Sequence, residues 1–304
     1  MKKTYKSVFI LVNLIIIFII YLINSNLVIN SFIDYSILFL TKLFPVSFIF
    51  YILSGLMMDY GIVSYFSMIF KNSSSYFYVF LLSMLSGFPS GSKYTKDLLD
   101  KKIIDERDGK KIIQFSHFPN PMFIMGSVSV VLNKILSFIL LISIIISNLI
   151  IFLFVKKDNY SFIDNNYVDN DFSYLLSEEI KKAFNILLLI YGTSLFFYLL
   201  SAFIVKYISL HVTLFVFING IFDLTKGVFS CSMINNLIIR SYYILFFISF
   251  GGISIHMQVK SILQDTSISY KYFFKGRVIG TILSFIIFSL IIYCCDYFGF
   301  FTIT

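Results

Sequence analysis

Gly87-Phe88-Pro89-Ser90-Gly91-Ser92-Lys93 interrupts an apolar stretch that begins at Tyr76, and 133 positions later the chain writes a second version, Gly220-Ile221-Phe222-Asp223-Leu224-Thr225-Lys226. A glycine, a short polar residue, a hydroxyl residue and a lysine recur at matching offsets, and the same offset carries Ser116 onto Ser249. Recurrence of this kind reads as an internal duplication. The run Tyr76 to Leu85 is too short to cross a hydrocarbon core of ~30 Å as a helix. Gly87, Pro89 and Gly91 cannot continue it without losing backbone hydrogen bonds. Free backbone groups are tolerated at membrane depth only where protein or a wet cavity satisfies them. The stretch therefore predicts a re-entrant hairpin with arms at 76–87 and 91–102. The second version predicts another at 208–234, with Asp223 and Thr225 at its tip.

Composition makes a membrane the setting. Of the 304 residues, 58% are hydrophobic and 13% charged, with 38 Phe and 21 Tyr, and the mean hydropathy is +0.88. Such a chain lies outside the range of soluble domains. Its long apolar runs lack the alternation of outer-membrane strands, so the expected fold is all-α, a polytopic helical membrane protein. The net charge of +8 comes from Lys and Arg gathered between apolar segments, which fits topology and a lipid surface rather than nucleic acid. Cys231, Cys294 and Cys295 show no zinc spacing, and no cofactor or metal is called for.

The expected organisation is one transmembrane domain over 1–304. N-terminal spans occupy 1–75, a first repeat half 76–155, a cytoplasmic loop 156–182 and a second repeat half 183–304. Lys2, Lys3 and Lys6 ahead of Val8–Ile23 imitate a signal peptide, but no small-residue cleavage site follows, so this run is read as the first span. The polar triplet Asn24-Ser25-Asn26 opens a connection to a second span at 36–58, and 59–75 is read as a connection or interfacial helix. Two later spans are interrupted, at His117-Phe118-Pro119-Asn120-Pro121 and at Ser249-Phe250-Gly251-Gly252-Ile253-Ser254. Uninterrupted spans are expected at 134–155, 183–206 and 277–298. With the N-terminus in the cytoplasm, seven crossings and two hairpins put most basic connections inside. Three crossings then separate the hairpins, so they enter from opposite sides as inverted repeats.

Asp223 is the sharpest chemical signal, since it and Lys226 are the only Asp, Glu, Lys or Arg between Lys206 and Arg240. An intramembrane carboxylate is costly unless it meets a cavity, a cation or a partner. It suits a coupling cation (proton or sodium) or a donor group of a solute. The plainer reading is an ion pair with Lys226 on the same helical face. Lys93 and Lys226 suit an anion, or snorkel to headgroups. Ser90, Ser92, Thr225, Asn120 and Ser254 suit a polar solute, or satisfy local backbone. His117 and His256 flank the breaks, and neutral packing is the plainer reading for both. Gln258 is a further polar lining candidate. The P-loop order is absent, because Lys93 is followed by Tyr94, and no nucleophile is paired with a base. An enzyme is not expected.

The stretches Gly87 to Lys93, Asn120-Pro121-Met122-Phe123-Ile124-Met125-Gly126, Asp223-Leu224-Thr225-Lys226-Gly227 and Ser249 to Gln258 run in an order that resembles the YlbJ (SpoVV) family of sporulation membrane proteins. That family falls in the nucleoside-recognition or Gate-domain group, whose plan is similar to concentrative nucleoside transporters. The resemblance implies that the hairpin tips and both span breaks, including Gly251 and Gly252, line a solute path. It further implies transport of dipicolinic acid across the outer forespore membrane. Nucleosides or other small solutes, or a non-transporting scaffold or receptor, are the alternatives. A homo-oligomer is implied by the analogy with nucleoside transporters alone.

Overall fold

Long apolar runs with few turn residues leave the helix as the way to pair every backbone group inside lipid. A computed structural model of the chain describes residues 2–62, 65, 74–155 and 171–298, and every regular element among them is helical. In chain order these are α1 (Lys2–Ile23), α2 (Ser25–Leu38), α3 (Phe44–Asp59), α4 (Ser74–Ser86), α5 (Ser90–Asp100), α6 (Glu106–Phe115) and α7 (Pro121–Val131). They continue with α8 (Lys134–Phe154), α9 (Phe172–Tyr207), α10 (Val212–Phe222), α11 (Leu224–Ser230), α12 (Leu237–Phe250), α13 (Ile253–Leu263) and α14 (Lys271–Tyr297). Much of the connection at 59–75 and the stretch 156–170 lie outside the described residues.

Four helical units are long and apolar enough to cross a membrane: α8, α9, the broken pair α12–α13, and α14. The bent pair α1–α2 makes a fifth. The second and third of the seven expected crossings are divided instead, between α2 and α3 and between α6 and α7. Large apolar side chains point outward all round, among them Phe138, Leu153, Leu188, Ile282 and Leu290. A soluble surface does not carry contiguous apolar area of that extent; this is an integral membrane protein.

Two boundaries differ from the sequence reading for clear reasons. Asn24 is not the start of a loop but a one-residue break, across which the helices bend by 92°. Its amide donates to Ile20 O at 2.9 Å and accepts from Lys206 Nζ at 2.6 Å and Tyr207 OH at 2.8 Å, so its polarity is consumed within the protein. Helix α9 begins at Phe172 rather than at 183. The charged residues of its first turns pair with one another and with α5, which lets the helix extend beyond the apolar span.

Both expected hairpins are present as helix, break, helix. In the first, Gly87 adopts φ +79° between α4 and α5. In the second, Asp223 alone separates α10 from α11, and Gly227 lies directly against the Gly220 backbone. Each hairpin break meets the span break of its own half. A Cβ on Gly87 would sit 2.6 Å from Asn120 N, and one on Gly252 3.1 Å from both Gly220 O and Leu224 N. Glycine is required at both crossings because backbone approaches backbone. Around them are two apolar cores, one centred on α8, α12 and α14 and the other on α3 to α6 with α9.

The close approach inside the second hairpin gives a stability test. Gly227→Val is expected to lower the melting temperature in detergent, at a cost of about 2 kcal/mol or more from overpacking. Gly192→Ala in α9, where an added Cβ meets nothing within 4 Å, is expected to stabilise by about 0.5–1 kcal/mol. Equal melting temperatures for the two variants would contradict the packing described.

Candidate functional site

Where the four breaks come together the protein leaves a cavity of about 70 Å³, room for about five waters or a solute group of that size. Lys42, Leu43 and Ser47 line it from the α2–α3 junction, Ser86 and Phe88 from the first hairpin, and Asn120 and Phe123 from the break before α7. Ile190 and Ser194 come from α9, Asp223, Leu224 and Thr225 from the second hairpin, and Ser254, Ile255 and Gln258 from α13. Apolar walls with a few convergent polar groups are the usual make-up of a small-molecule site.

Asp223 is buried and caps α11, its Oδ1 accepting from Lys226 N at 3.0 Å and its Oδ2 from Ser254 Oγ at 3.3 Å. Asn120 caps α7 in the same manner, its Oδ1 accepting from Met122 N at 2.8 Å and its Nδ2 donating to Ser86 O at 3.3 Å. Gln258 Nε2 donates to Ser194 Oγ at 2.9 Å across the wall. Helix α13 begins at the cavity, where Ser254 and Ile255 of its first turn line the wall, and that turn presents N–H groups with the positive end of the helix dipole.

The opposite helix ends are handled by one residue. Arg277 of α14 is buried and donates to His117 O and Ser249 O at 3.2 Å each, to Gln114 O at 3.4 Å and to Asn148 Oδ1 at 3.0 Å. Three of those oxygens are carbonyls at or just past the ends of α6 and α12, where backbone acceptors have no intrahelical donor. Neighbouring Gly276 lies against the Gln114 backbone, which brings α14 close enough for the guanidinium to reach both breaks.

Of the residues expected to bind solute, Asn120, Asp223, Thr225 and Ser254 line the cavity. The others do not. Ser90 Oγ donates to Gly87 O and Ser92 Oγ to Pro89 O, so both satisfy the hairpin's own backbone. Lys93 turns away into a buried cluster, 2.8 Å from Asp97 and 3.9 Å from Glu179, over the rings of Tyr51 and Tyr94. Lys226 neither pairs with Asp223 nor enters the cavity; its Nζ donates to Ser201 Oγ at 2.9 Å and Tyr198 O at 3.2 Å, over the Tyr198 ring. Gly251, at φ +88°, and Gly252 make the break and its crossing with the second hairpin. His256 donates from Nε2 to the Phe250 carbonyl at 3.1 Å, leaving Nδ1 to accept from Tyr270 OH at 2.6 Å. His117 packs its ring 4.3 Å from that of Phe273.

No family model matches the chain, and no solved structure matches it. Among known proteins, the sporulation integral membrane protein YlbJ of Bacillus subtilis (strain 168) is 23% identical over 288 aligned residues, covering 78% of this chain and 70% of the relative. The chain is similar to this relative over most of its length. Sequence reasoning missed Lys42, Ser47, Ser86 and Ser194 on the cavity wall. Ser86 precedes Gly87 and was within reach of the hairpin argument. Single serines inside apolar spans carry no such signal, because a hydroxyl there is as readily absorbed by the preceding helical turn. Arg277 stands in the sequence only as the first residue of the span expected at 277–298.

Two substitutions separate support from binding. Arg277→Met leaves several buried carbonyls without donors and is expected to cost roughly 3 kcal/mol, read as a fall of several degrees in the melting point of the detergent-purified protein. Arg277→Lys recovers part of that loss at most, since one ammonium cannot span both breaks. Asp223→Asn is expected to stay within about 0.5 kcal/mol of the unsubstituted protein, because Asn caps a helix as well as Asp does.

Proposed function

We propose that this protein is a secondary transporter that binds a small polar, anionic solute where the four helix breaks meet. The observation that carries the reading is the cavity: a largely apolar site with a few convergent polar groups, in the interior of a helical membrane protein and built from paired helix interruptions. Irregular backbone at membrane depth is tolerated where it lines such a cavity, and solute sites of transporters are built that way. The dipole end of α13 favours an anion, and Thr225, Ser254, Asn120 and Gln258 supply hydrogen bonds to orient it.

The relative's name, sporulation integral membrane protein, supports a role in spore formation. The family resemblance adds dipicolinic acid as the solute and the outer forespore membrane as the place. In this reading the N-terminus is cytoplasmic, the hairpins enter from opposite faces, and the protein is a carrier rather than an enzyme. A nucleoside is the second reading, favoured by Asp223, whose carboxylate is suited to accept from ribose hydroxyls.

Uptake of labelled dipicolinate and of labelled nucleosides into proteoliposomes tests both. Dipicolinate is expected to enter and to be slowed at least tenfold by Thr225→Val combined with Ser254→Ala, with the melting temperature preserved. Ser232→Ala, on an exposed turn away from the cavity, is expected to transport as the unsubstituted protein does. Entry of nucleosides alone would favour the second reading, and failure of both solutes in folded protein would sink the transport reading.

A further inference from the structure

Among the described residues lining the cavity, Asp223 is the one carboxylate, and Lys42 the other formal charge, on the exposed rim between α2 and α3. Asp223 is 2% exposed, and no lysine or arginine side-chain nitrogen pairs with it among the described residues. An ionised carboxylate cannot share so small a space with an anionic solute, because two like charges within a few ångströms cannot both stay ionised. Something must neutralise it when the anion arrives.

We infer that a proton does so: Asp223 is protonated whenever the anion occupies the cavity, and the two cross the membrane together. This rests on the reading of the protein as an anion carrier. A metal ion would be the other neutralising partner, but sodium or a divalent cation needs a shell of oxygen ligands. Here both carboxylate oxygens already accept, one from a backbone N–H and one from a hydroxyl. The first turn of α13 adds further N–H donors, and the carbonyl ends of α6 and α12 are occupied by Arg277. A proton needs no ligand shell and turns the same carboxyl into a donor that can face the solute's carboxylate.

The other titratable groups around Asp223 leave this assignment to it. On α11, Lys226 is felt electrostatically but donates to α9. Tyr35 of α2 and Tyr198 of α9 are phenols within electrostatic reach, and a phenol carries no charge at ordinary pH. Asp34 of α2 is exposed and faces the Lys226 side. His256 of α13 is turned to Tyr270 and Phe250 O. Lys93 of α5 is held by Asp97 and Glu179. Lys42 stands at the rim, where it attracts the anion without neutralising Asp223 directly.

The test uses the purified full-length protein in proteoliposomes, with the membrane potential clamped at zero and dipicolinate as the probe. An inward proton gradient of one pH unit is expected to raise dipicolinate accumulation about tenfold, as one proton per anion requires. A sodium gradient is expected to leave accumulation unaltered. Asp223→Asn is expected to retain dipicolinate counterflow while losing accumulation driven by the proton gradient. Calorimetry of dipicolinate binding in buffers of different ionisation enthalpy is expected to report about one proton taken up by the unsubstituted protein and none by Asp223→Asn. Accumulation that ignores the pH gradient, or follows sodium, overturns the inference while counterflow keeps the carrier reading standing. Gradient-driven accumulation surviving in Asp223→Asn overturns the assignment to this residue. Absence of both counterflow and binding in folded protein overturns the carrier reading and the inference with it.

Discussion

One guanidinium holds the two halves of this protein in register. Arg277 reaches carbonyl oxygens around the breaks after α6 and after α12, and Asn148 of α8 steadies it from the side. Breaking a helix inside a membrane frees acceptors that lipid cannot satisfy. Using one planar, always charged group for both breaks solves that problem twice. Among the described residues no carboxylate pairs with Arg277, so the helix ends themselves provide its counter-charge, as expected where a cation meets helix C-termini. Asn148 also donates to His117 O, and Ser284 of α14 donates to Ser147 of α8, which extends the polar seam along two otherwise apolar helices. Such contacts between membrane helices are modest singly and specify registry together.

With the carbonyl ends occupied, the breaks present a one-sided chemistry to the cavity. What remains free there is mostly donor: backbone N–H groups at the start of α13 and the hydroxyl of Thr225. Asp223 is the exception, and it sits where a cap is needed anyway. Its structural role and its chemical role therefore coincide in one side chain, and the polar residues around it come from both halves of the chain.

The breaks were legible in the sequence because glycine, proline and polar residues in an apolar run leave a helix few options. Their pairing was legible because Gly220, Asp223, Thr225 and Lys226 repeat Gly87, Ser90, Ser92 and Lys93 at one offset. The direction of the lysines was not. Lys93 and Lys226 are matched in sequence yet face different partners, and the partner of Lys93, Glu179, lies on a helix whose charged start read as a loop. Asn24 was misjudged in the same way, since polarity in sequence does not distinguish a residue facing water from one facing Lys206 and Tyr207. Arg277 was invisible as a clamp because its acceptors are backbone carbonyls, which every residue carries. Long-range polar contacts inside a membrane are set by the fold, and only the need for them shows in the sequence.

The two matched lysines give the hairpins unequal freedom. Lys93 ties α5 to α9 through full charges, with Glu179 pressed against Gly55 of α3 and bonded also to Lys182. Shifting α5 along α9 by one turn, about 5.4 Å, would part a buried ammonium from a buried carboxylate, leaving Lys93 with Asp97 and Glu179 with Lys182 alone, a loss that low dielectric enlarges. Lys226 ties the second hairpin to α9 through a carbonyl and a serine hydroxyl, neutral acceptors that are replaceable by others along the same helix. The first hairpin is thus riveted to its neighbour, while the second, which carries Asp223, is only moored to it.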